Sequence, residues 1–278
     1  MCKDLFSKLF RKKEPVTEET VTESMVTNEE IIPADTVNVV VNEDIITGDK
    51  PIVVTPDEPI GGNKPYEDVN FVILLDNGHA KSTPGKRSPK LPNGKQFFEW
   101  EFNRDVVKRI AAGLEKLGIK YHILVPENDK DISLTTRANR ANEYCKKYGT
   151  KNCFFISVHS NAYGDGSTWT DPGKWSVWTT VGVTKSDEYG KVLYDVAMDY
   201  LKPYGFTCRD GKVQGNGNAG PDYEENFTVI YKAWCPAILT ENLFYTNKKE
   251  CEWLMTDKGR QVIADIHIEG IRRIADSF

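Results

Sequence analysis

Short apolar runs alternate with amphipathic segments along residues 70–278, and this alternation is the main structural signal in the chain. The apolar runs have the length and composition of buried β-strands. Six runs predict strands: NFVILLD (70–76), KYHILV (120–125), CFFISVH (153–159), WSVWTTV (175–181), TVIYKAW (228–234) and PAILTE (236–241). Strands that alternate with helices predict an α/β three-layer sandwich, in which a mostly parallel twisted sheet carries helices on both faces.

Helical spacing of apolar residues fills the intervals between these runs. Residues 99–117 and 186–201 show this spacing, and residues 133–149 add a serine at the start and a glycine at the end. Asn247, with Glu250 three positions later, resembles a capping box that opens the C-terminal helices.

Residues 1–68 have a different composition, rich in Glu, Thr, Pro and Asp. We predict that they form an acidic, poorly ordered leader or linker, followed by one catalytic domain over residues 69–278. Apolar residues among lysines at 1–13 are typical of a short amphipathic helix that contacts a membrane surface or a partner weakly, and a frayed terminus is an equal alternative. A small β-module near 36–56 is the minor alternative for the leader.

The net negative charge of the chain lies in this leader. Residues 1–70 hold 15 acidic and 7 basic side chains, a balance of −8, whereas the remainder holds 26 acidic and 29 basic ones, a balance of +3. A body so weakly basic does not have the charge typical of a nucleic-acid-binding protein. The sequence contains neither an apolar run of transmembrane length nor the apolar core of a signal peptide, and its six cysteines form no CxxC pair, so we expect reduced, structural thiols.

Residues with reactive side chains follow three of the predicted strands. His79 follows the first strand, and His159 and Glu241 end two others. Because parallel strands end at the same edge of a sheet, these three side chains should lie near one another. The other two histidines, His122 within a strand and His267 within a helix, are expected to be structural.

Two histidines at a strand edge predict a zinc site. Catalytic zinc usually takes three protein ligands and leaves one position open, so a carboxylate is the natural third ligand. Glu99 and Glu101 both occur in FFEWEFN, and spacing alone does not choose between them.

Five segments, in order along residues 70–278, resemble the zinc-dependent N-acetylmuramoyl-L-alanine amidases. They are DNGH (76–79), EWEFN (99–103), SLTTRANRAN (133–142), SVHSNA (157–162) and PAILTENLFYTN (236–247). The resemblance implies an α/β fold and one catalytic Zn²⁺ held by His79, Glu99 and His159. Glu99 is preferred because the family's glutamate ligand precedes an asparagine by four positions, as Glu99 precedes Asn103. Glu241 matches the family's catalytic glutamate.

Further residues are expected to support this site. Asp76 and Asn161 are candidates to hold the metal-binding histidines, and Arg137 matches the family pattern on the second helix. A turn role for Asp76 and a purely structural role for Arg137 remain open. Four aromatic residues are candidates for either a substrate groove or core packing: Trp169, Trp175, Trp178 and Tyr223.

The family resemblance implies a peptidoglycan hydrolase that cleaves the amide bond between the lactyl group of N-acetylmuramic acid and L-alanine. The alternatives are another zinc peptidase acting within the stem peptide, or a cell-wall binding module without catalysis. We expect peptidoglycan as the binding partner and a monomer. The lack of a signal-peptide pattern suits a bacteriophage endolysin that accumulates in the cytoplasm before it reaches the wall. His79 is followed by Ala80 where the family commonly has glycine, a departure that removes no ligand.

Overall fold

Six β-strands form one sheet in this computed structural model, which describes residues 64–212 and 220–278. They are β1 (Val72–Asn77), β2 (Lys120–Ile123), β3 (Cys153–Asn161), β4 (Ser176–Thr179), β5 (Tyr223–Glu224) and β6 (Ala237–Phe244). The order across the sheet is β2-β1-β3-β6-β4-β5. Strands β2, β1, β3 and β6 are parallel, whereas β4 runs antiparallel to β6. The C-terminal ends of the four parallel strands therefore share one edge.

Helices cover both faces of the sheet. They are α1 (Glu99–Leu117), α2 (Leu134–Tyr148), α3 (Lys185–Leu201), α4 (Thr228–Tyr231), α5 (Lys248–Leu254) and α6 (Asp257–Ala275), with short 3-10 turns at Thr150–Asn152 and Lys202–Tyr204. Apolar side chains of α1, α3, α5 and α6 join one buried cluster, and those of α2 and α4 join another. Along β1, Ile73 and Leu75 enter the first cluster while Val72 and Leu74 enter the second. The predicted three-layer α/β sandwich is thus confirmed.

The predicted strand over residues 228–234 is wrong. Thr228–Tyr231 form the single-turn helix α4. Val229 and Ile230, adjacent in sequence, are both buried against the α2 side of the sheet, whereas Tyr231 is 62% exposed. A short apolar run does not by itself distinguish a strand from a helical turn, and here packing against α2 decided the outcome.

Side chains cap α2 and α5 at the residues that the sequence predicts, Ser133 and Asn247, and side chains also cap α3 and α6. The Ser133 hydroxyl accepts a hydrogen bond from the backbone N–H of Thr136 at 3.2 Å, and Asn247 Oδ1 accepts one from the N–H of Glu250 at 3.2 Å. Helix α3 begins after a full capping box formed by Thr184 and Asp187. The Glu250 carboxylate accepts hydrogen bonds from the N–H groups of Lys174 and Phe244, both at 2.7 Å, so it ties the end of β6 to a neighbouring loop.

Residues 64–69 pack against the end of α1 and α6. The Tyr66 backbone N–H donates to the carbonyl of Leu117 at 3.1 Å, and its hydroxyl donates to Asp276 at 2.5 Å. The amphipathic segment 1–13 and the β-module near 36–56 lie outside the described residues, and the domain boundary at 68/69 stays a prediction. Among the described residues no helix combines the length and apolar character needed to cross a bilayer. The cysteines of this part of the chain are all buried free thiols.

Candidate metal centre and active site

His79, Glu99 and His159 converge at the C-terminal edge of the parallel strands. His79 follows β1, Glu99 is the first residue of α1, and His159 lies near the end of β3. His159 Nδ1 lies 3.0 Å from Glu99 Oε1, and His79 Nε2 lies 3.4 Å from Glu99 Oε2. One potential ligand atom from each residue lies within 4.8 Å of the others. The three side chains, from distant parts of the sequence, therefore form one compact donor set.

The backbone at residues 78–79 is shaped for this convergence. Gly78 donates its N–H to the carbonyl of Val158 at 3.0 Å, which holds it directly beside β3. A Cβ at this position would lie 2.1 Å from His159 Cε1, so only glycine fits under the imidazole. His79 itself has a φ of 61°, a left-handed conformation that is uncommon for a residue with a side chain. This turn directs the first histidine back over the end of the sheet.

Glu99 is buried between the two histidines. Its Oε1 also accepts a hydrogen bond from the backbone N–H of Ser160 at 3.3 Å, whereas its buried Oε2 has no hydrogen-bond partner. Although burial opposes ionisation, the charge of His79 and the hydrogen bond with His159 hold the pKa of Glu99 well below its usual range. Glu101 is instead exposed and forms an ion pair with Arg260 at 3.2 Å.

This donor set fits a divalent cation. Two imidazoles and a carboxylate match the ligands of a catalytic zinc that keeps one coordination position open. Burial lowers the pKa of His159 and outweighs the opposing effect of Glu99. The lowered pKa favours the neutral imidazole, which is the form that binds metals. The ionised Glu99 contributes a buried oxygen, Oε2, that has no hydrogen-bond partner. An unsatisfied buried carboxylate oxygen is costly unless a cation compensates for it.

Glu241 occupies the next strand beside the donor set. It is the direct neighbour of His159 in the pairing of β3 with β6. Burial and the negative charge of Glu99 raise the pKa of Glu241 well above its usual range, against the weaker effects of Lys86 and Arg209. Its Oε2 is buried without a hydrogen-bond partner. Two neighbouring carboxyl groups with opposite pKa shifts are suited to different tasks, one as a ligand and the other in proton transfer.

Comparisons with known proteins place the chain in a family. The family model for N-acetylmuramoyl-L-alanine amidase matches residues 73–273. This chain belongs to the N-acetylmuramoyl-L-alanine amidase family. The endolysin of Bacillus phage SPP1 is 30% identical over 211 residues, which cover 73% of this chain and 65% of that protein. The amidase CwlM of Bacillus licheniformis is 28% identical over 204 residues, 72% of this chain and 67% of its own length. The chain therefore spans about two thirds of the length of these relatives.

A solved structure shows the same fold. The N-acetylmuramoyl-L-alanine amidase of Clostridium difficile 630 superimposes with a TM-score of 0.59 at 23% identity, covering 74% of this chain and 97% of that one. The family is generally zinc-dependent, in keeping with the donor set of His79, Glu99 and His159.

In this amidase-family domain, Asp76 and Arg137 form a buried ion pair beneath the site. Arg137 Nη1 donates to Asp76 Oδ1 at 2.7 Å and to the carbonyl of Asn77 at 2.9 Å. Asp76 Oδ2 accepts the hydroxyl hydrogen bond of Ser157 at 2.6 Å. Both oxygens of the Asp76 carboxylate therefore bind groups other than a histidine ring. The ion pair of Asp76 with Arg137 connects α2 to the ends of β1 and β3. Asn161 uses its side-chain oxygen locally, as acceptor for the N–H of Ala162 at 2.8 Å.

Two residues of α1 hold the His79 loop, and one of them carried no recognisable signal in the sequence. Asn103 Nδ2 donates to the carbonyl of Gly78 at 3.1 Å, and Arg104 Nη2 donates to the carbonyl of His79 at 2.9 Å. Arg104 also reaches the carbonyl of Glu127 at 2.6 Å, although it is buried on a helix. Nothing in the sequence separates Arg104 from a surface arginine, because its partners are carbonyl groups on distant loops.

The aromatic candidates for a substrate groove are partly accounted for by packing. Trp175 is fully buried and Tyr223 is 3% exposed. Trp178 is half-buried, and its ring centroid lies 4.7 Å from that of Tyr223. Trp169 packs against the core cluster from a partly buried position. Trp175 and Tyr223 are therefore core-packing residues and do not line a substrate groove.

Proposed function

We propose that this protein is a zinc-dependent N-acetylmuramoyl-L-alanine amidase that hydrolyses the amide bond between the N-acetylmuramic acid lactyl group and L-alanine in peptidoglycan. The observation that carries this proposal is the position of Glu241 beside a His-Glu-His donor set, within a chain that matches the family model over residues 73–273. Membership of the family supports peptidoglycan as the substrate.

His79, Glu99 and His159 would hold the zinc ion. Bound zinc supplies Lewis acidity, which polarises the scissile carbonyl and makes water a stronger nucleophile near neutral pH. Glu99 is suited to its role because its low pKa keeps it ionised, and the neighbouring backbone N–H of Ser160 orients one of its oxygens. Gly78 leaves room for the His159 ring at the bottom of the site.

Glu241 would move the proton in this reaction. Burial and the charge of Glu99 raise the pKa of Glu241, which favours a carboxyl group that holds a proton and then returns it. Glu241 takes a proton from the attacking water and returns it to the nitrogen of the departing L-alanine. The amide bond is broken, the lactyl group becomes a carboxylic acid, and the stem peptide leaves with a free amine.

Digestion of purified peptidoglycan, with and without a chelator, tests the activity. We expect mass analysis to show stem peptides with a free L-alanine amine and intact glycan chains, and we expect the chelator to abolish their release. Cleavage within the stem peptide would instead assign a different zinc peptidase. Zinc binding without any product would indicate a binding module.

Substitution of Glu241 tests its assignment separately. Glu241→Gln should keep zinc and lose about 10²- to 10⁴-fold in activity, since general acid–base help is of that size. Glu99→Gln should lose zinc, and Glu101→Gln is its matched control because Glu101 is exposed and paired with Arg260. Equal zinc loss in the two variants would contradict the choice of Glu99, and full activity of Glu241→Gln would contradict the proton-transfer role.

We also propose that the protein acts as a monomeric, phage-type lysin that accumulates in the cytoplasm before reaching the wall. Its 30% identity to the SPP1 endolysin supports this role. Expression in a susceptible bacterium should cause lysis only when a membrane pore is co-expressed, and light scattering should give the mass of one chain. Lysis without the pore would contradict cytoplasmic accumulation.

A further inference from the structure

The pairing of β3 with β6 becomes irregular directly after His159. His159 pairs with Glu241, but Asn161 pairs with Phe244, so two steps along β3 oppose three steps along β6. Leu243, within the extra step, has a φ of 63°, a left-handed conformation. This β-bulge separates the registers on either side of the candidate site. A side chain of the bulge, Asn242, donates through Nδ2 to the backbone carbonyl of His159 at 2.8 Å.

The amide of Asn242 is fixed on both sides. Its Oδ1 accepts the indole N–H of Trp175 at 2.8 Å, and its Nδ2 also lies 3.2 Å from Thr240 Oγ1. Because an indole nitrogen only donates, the orientation of the Asn242 amide is determined without ambiguity. Asn242 is fully buried, so these contacts are not exchanged with solvent.

His267 of α6 completes this arrangement from the helical layer. Its Nδ1 lies 2.8 Å from the carbonyl of Ile263, which only accepts, so Nδ1 carries the proton. The neutral ring then accepts at Nε2 from the Thr240 hydroxyl at 2.9 Å, which leaves the Thr240 oxygen free to accept from Asn242. His267 is fully buried, and burial lowers its pKa to about 4, in keeping with the neutral form.

We infer that His267, Thr240 and Asn242 form a positioning chain, in which Asn242 donates both to Thr240, which donates to His267, and to the His159 carbonyl, so that the placement of α6 is linked to the backbone of His159 and to the bulge that follows Glu241. The inference rests on the proposed zinc amidase function for its consequence. The three residues are positioning residues that touch neither substrate nor metal. Partners of metal ligands typically alter metal affinity by about 10- to 100-fold when they are removed.

Thr240→Val in the full-length chain is the direct test. Valine keeps the shape of threonine but removes both the donor to His267 and the acceptor for Asn242. Thr179→Val is the matched control, because Thr179 is equally buried on β4 and loses one hydrogen bond, to Asp222 at 2.7 Å. We expect Thr240→Val to bind zinc about 10- to 100-fold more weakly, with kcat reduced and KM unchanged. In the metal-free protein, amide hydrogen exchange should accelerate at residues 159–161 and 241–244. The control should change neither readout.

Further variants separate a positioning role from general damage. Thr240→Ser restores the hydroxyl and should recover zinc affinity and slow exchange. If Thr240→Val does not fold, Asn242→Asp replaces it, since the aspartate keeps an acceptor for Trp175 but sets a carboxylate oxygen against the His159 carbonyl. Wild-type zinc affinity together with wild-type exchange in the variant that folds would overturn the inference. If the wild-type protein binds no zinc, the proposed function is wrong, and the exchange result in the metal-free protein alone decides the inference.

Discussion

Gly78→Ala offers the sharpest perturbation of the candidate site. The added Cβ would lie 2.1 Å from His159 Cε1 and 2.4 Å from both ring nitrogens. Favourable contacts between carbon atoms lie at about 3.5–4.0 Å, so the ring or the loop must shift by more than about 1 Å. Gly78 has no positive φ, so its backbone conformation suits alanine and the clash alone drives the effect.

The expected size of the effect follows from this displacement. A misplacement of about 1 Å at a reacting centre costs on the order of 10²-fold in rate. Overpacking of a buried site typically costs about 1–3 kcal/mol of stability. For a domain of this size, about 2–4 °C of melting temperature correspond to each kcal/mol, which predicts a decrease of about 2–12 °C.

Three measurements on Gly78→Ala check this reasoning: zinc content, release of stem peptides and the midpoint of thermal unfolding. Gly190→Ala, within helix α3, is the matched control. Its added Cβ would meet Thr179 Cγ2 at 3.4 Å, which is an ordinary contact. The control should keep zinc and activity, with a small gain in stability from the better helix former. Wild-type zinc content and activity in Gly78→Ala would refute the steric role of this glycine.

Two further predictions concern stability. Arg137→Met should lower the free energy of unfolding in urea by about 3–5 kcal/mol, because it leaves the buried Asp76 carboxylate uncompensated. Arg140→Met, which breaks the half-exposed pair with Glu127, should cost under about 1 kcal/mol, and equal losses would contradict this contrast. Burial lowers the pKa of His267 from 6.5 to about 4. As pH falls, the unfolded chain protonates this histidine before the folded chain does, so the free energy of unfolding decreases between pH 6.5 and 4. His267→Gln should flatten the pH dependence of unfolding within that window, and an unchanged slope would contradict the neutral buried state.

Much of the fold is readable from local patterns in the sequence. Five of the six predicted runs overlap observed strands, because strand length and alternate burial on two faces are properties of short segments. The caps at Ser133 and Asn247 are equally local, because each joins residues three positions apart. The strand predicted at 228–234 is wrong because Val229 and Ile230 both pack against α2, a contact that the segment itself does not encode.

The strand pattern alone predicts that His79, His159 and Glu241 lie at one edge, because parallel strands share a direction. Only the tertiary structure shows Glu99 buried between the histidines and Glu101 turned toward Arg260, since that depends on how the first turn of α1 meets the sheet. The hydrogen bonds between His267 of α6 and Thr240, and between Asn242 of the bulge and His159, were likewise invisible in the sequence. Residues 27 and 83 positions apart become partners only when the layers are packed, and spacing along the chain carries no record of that packing.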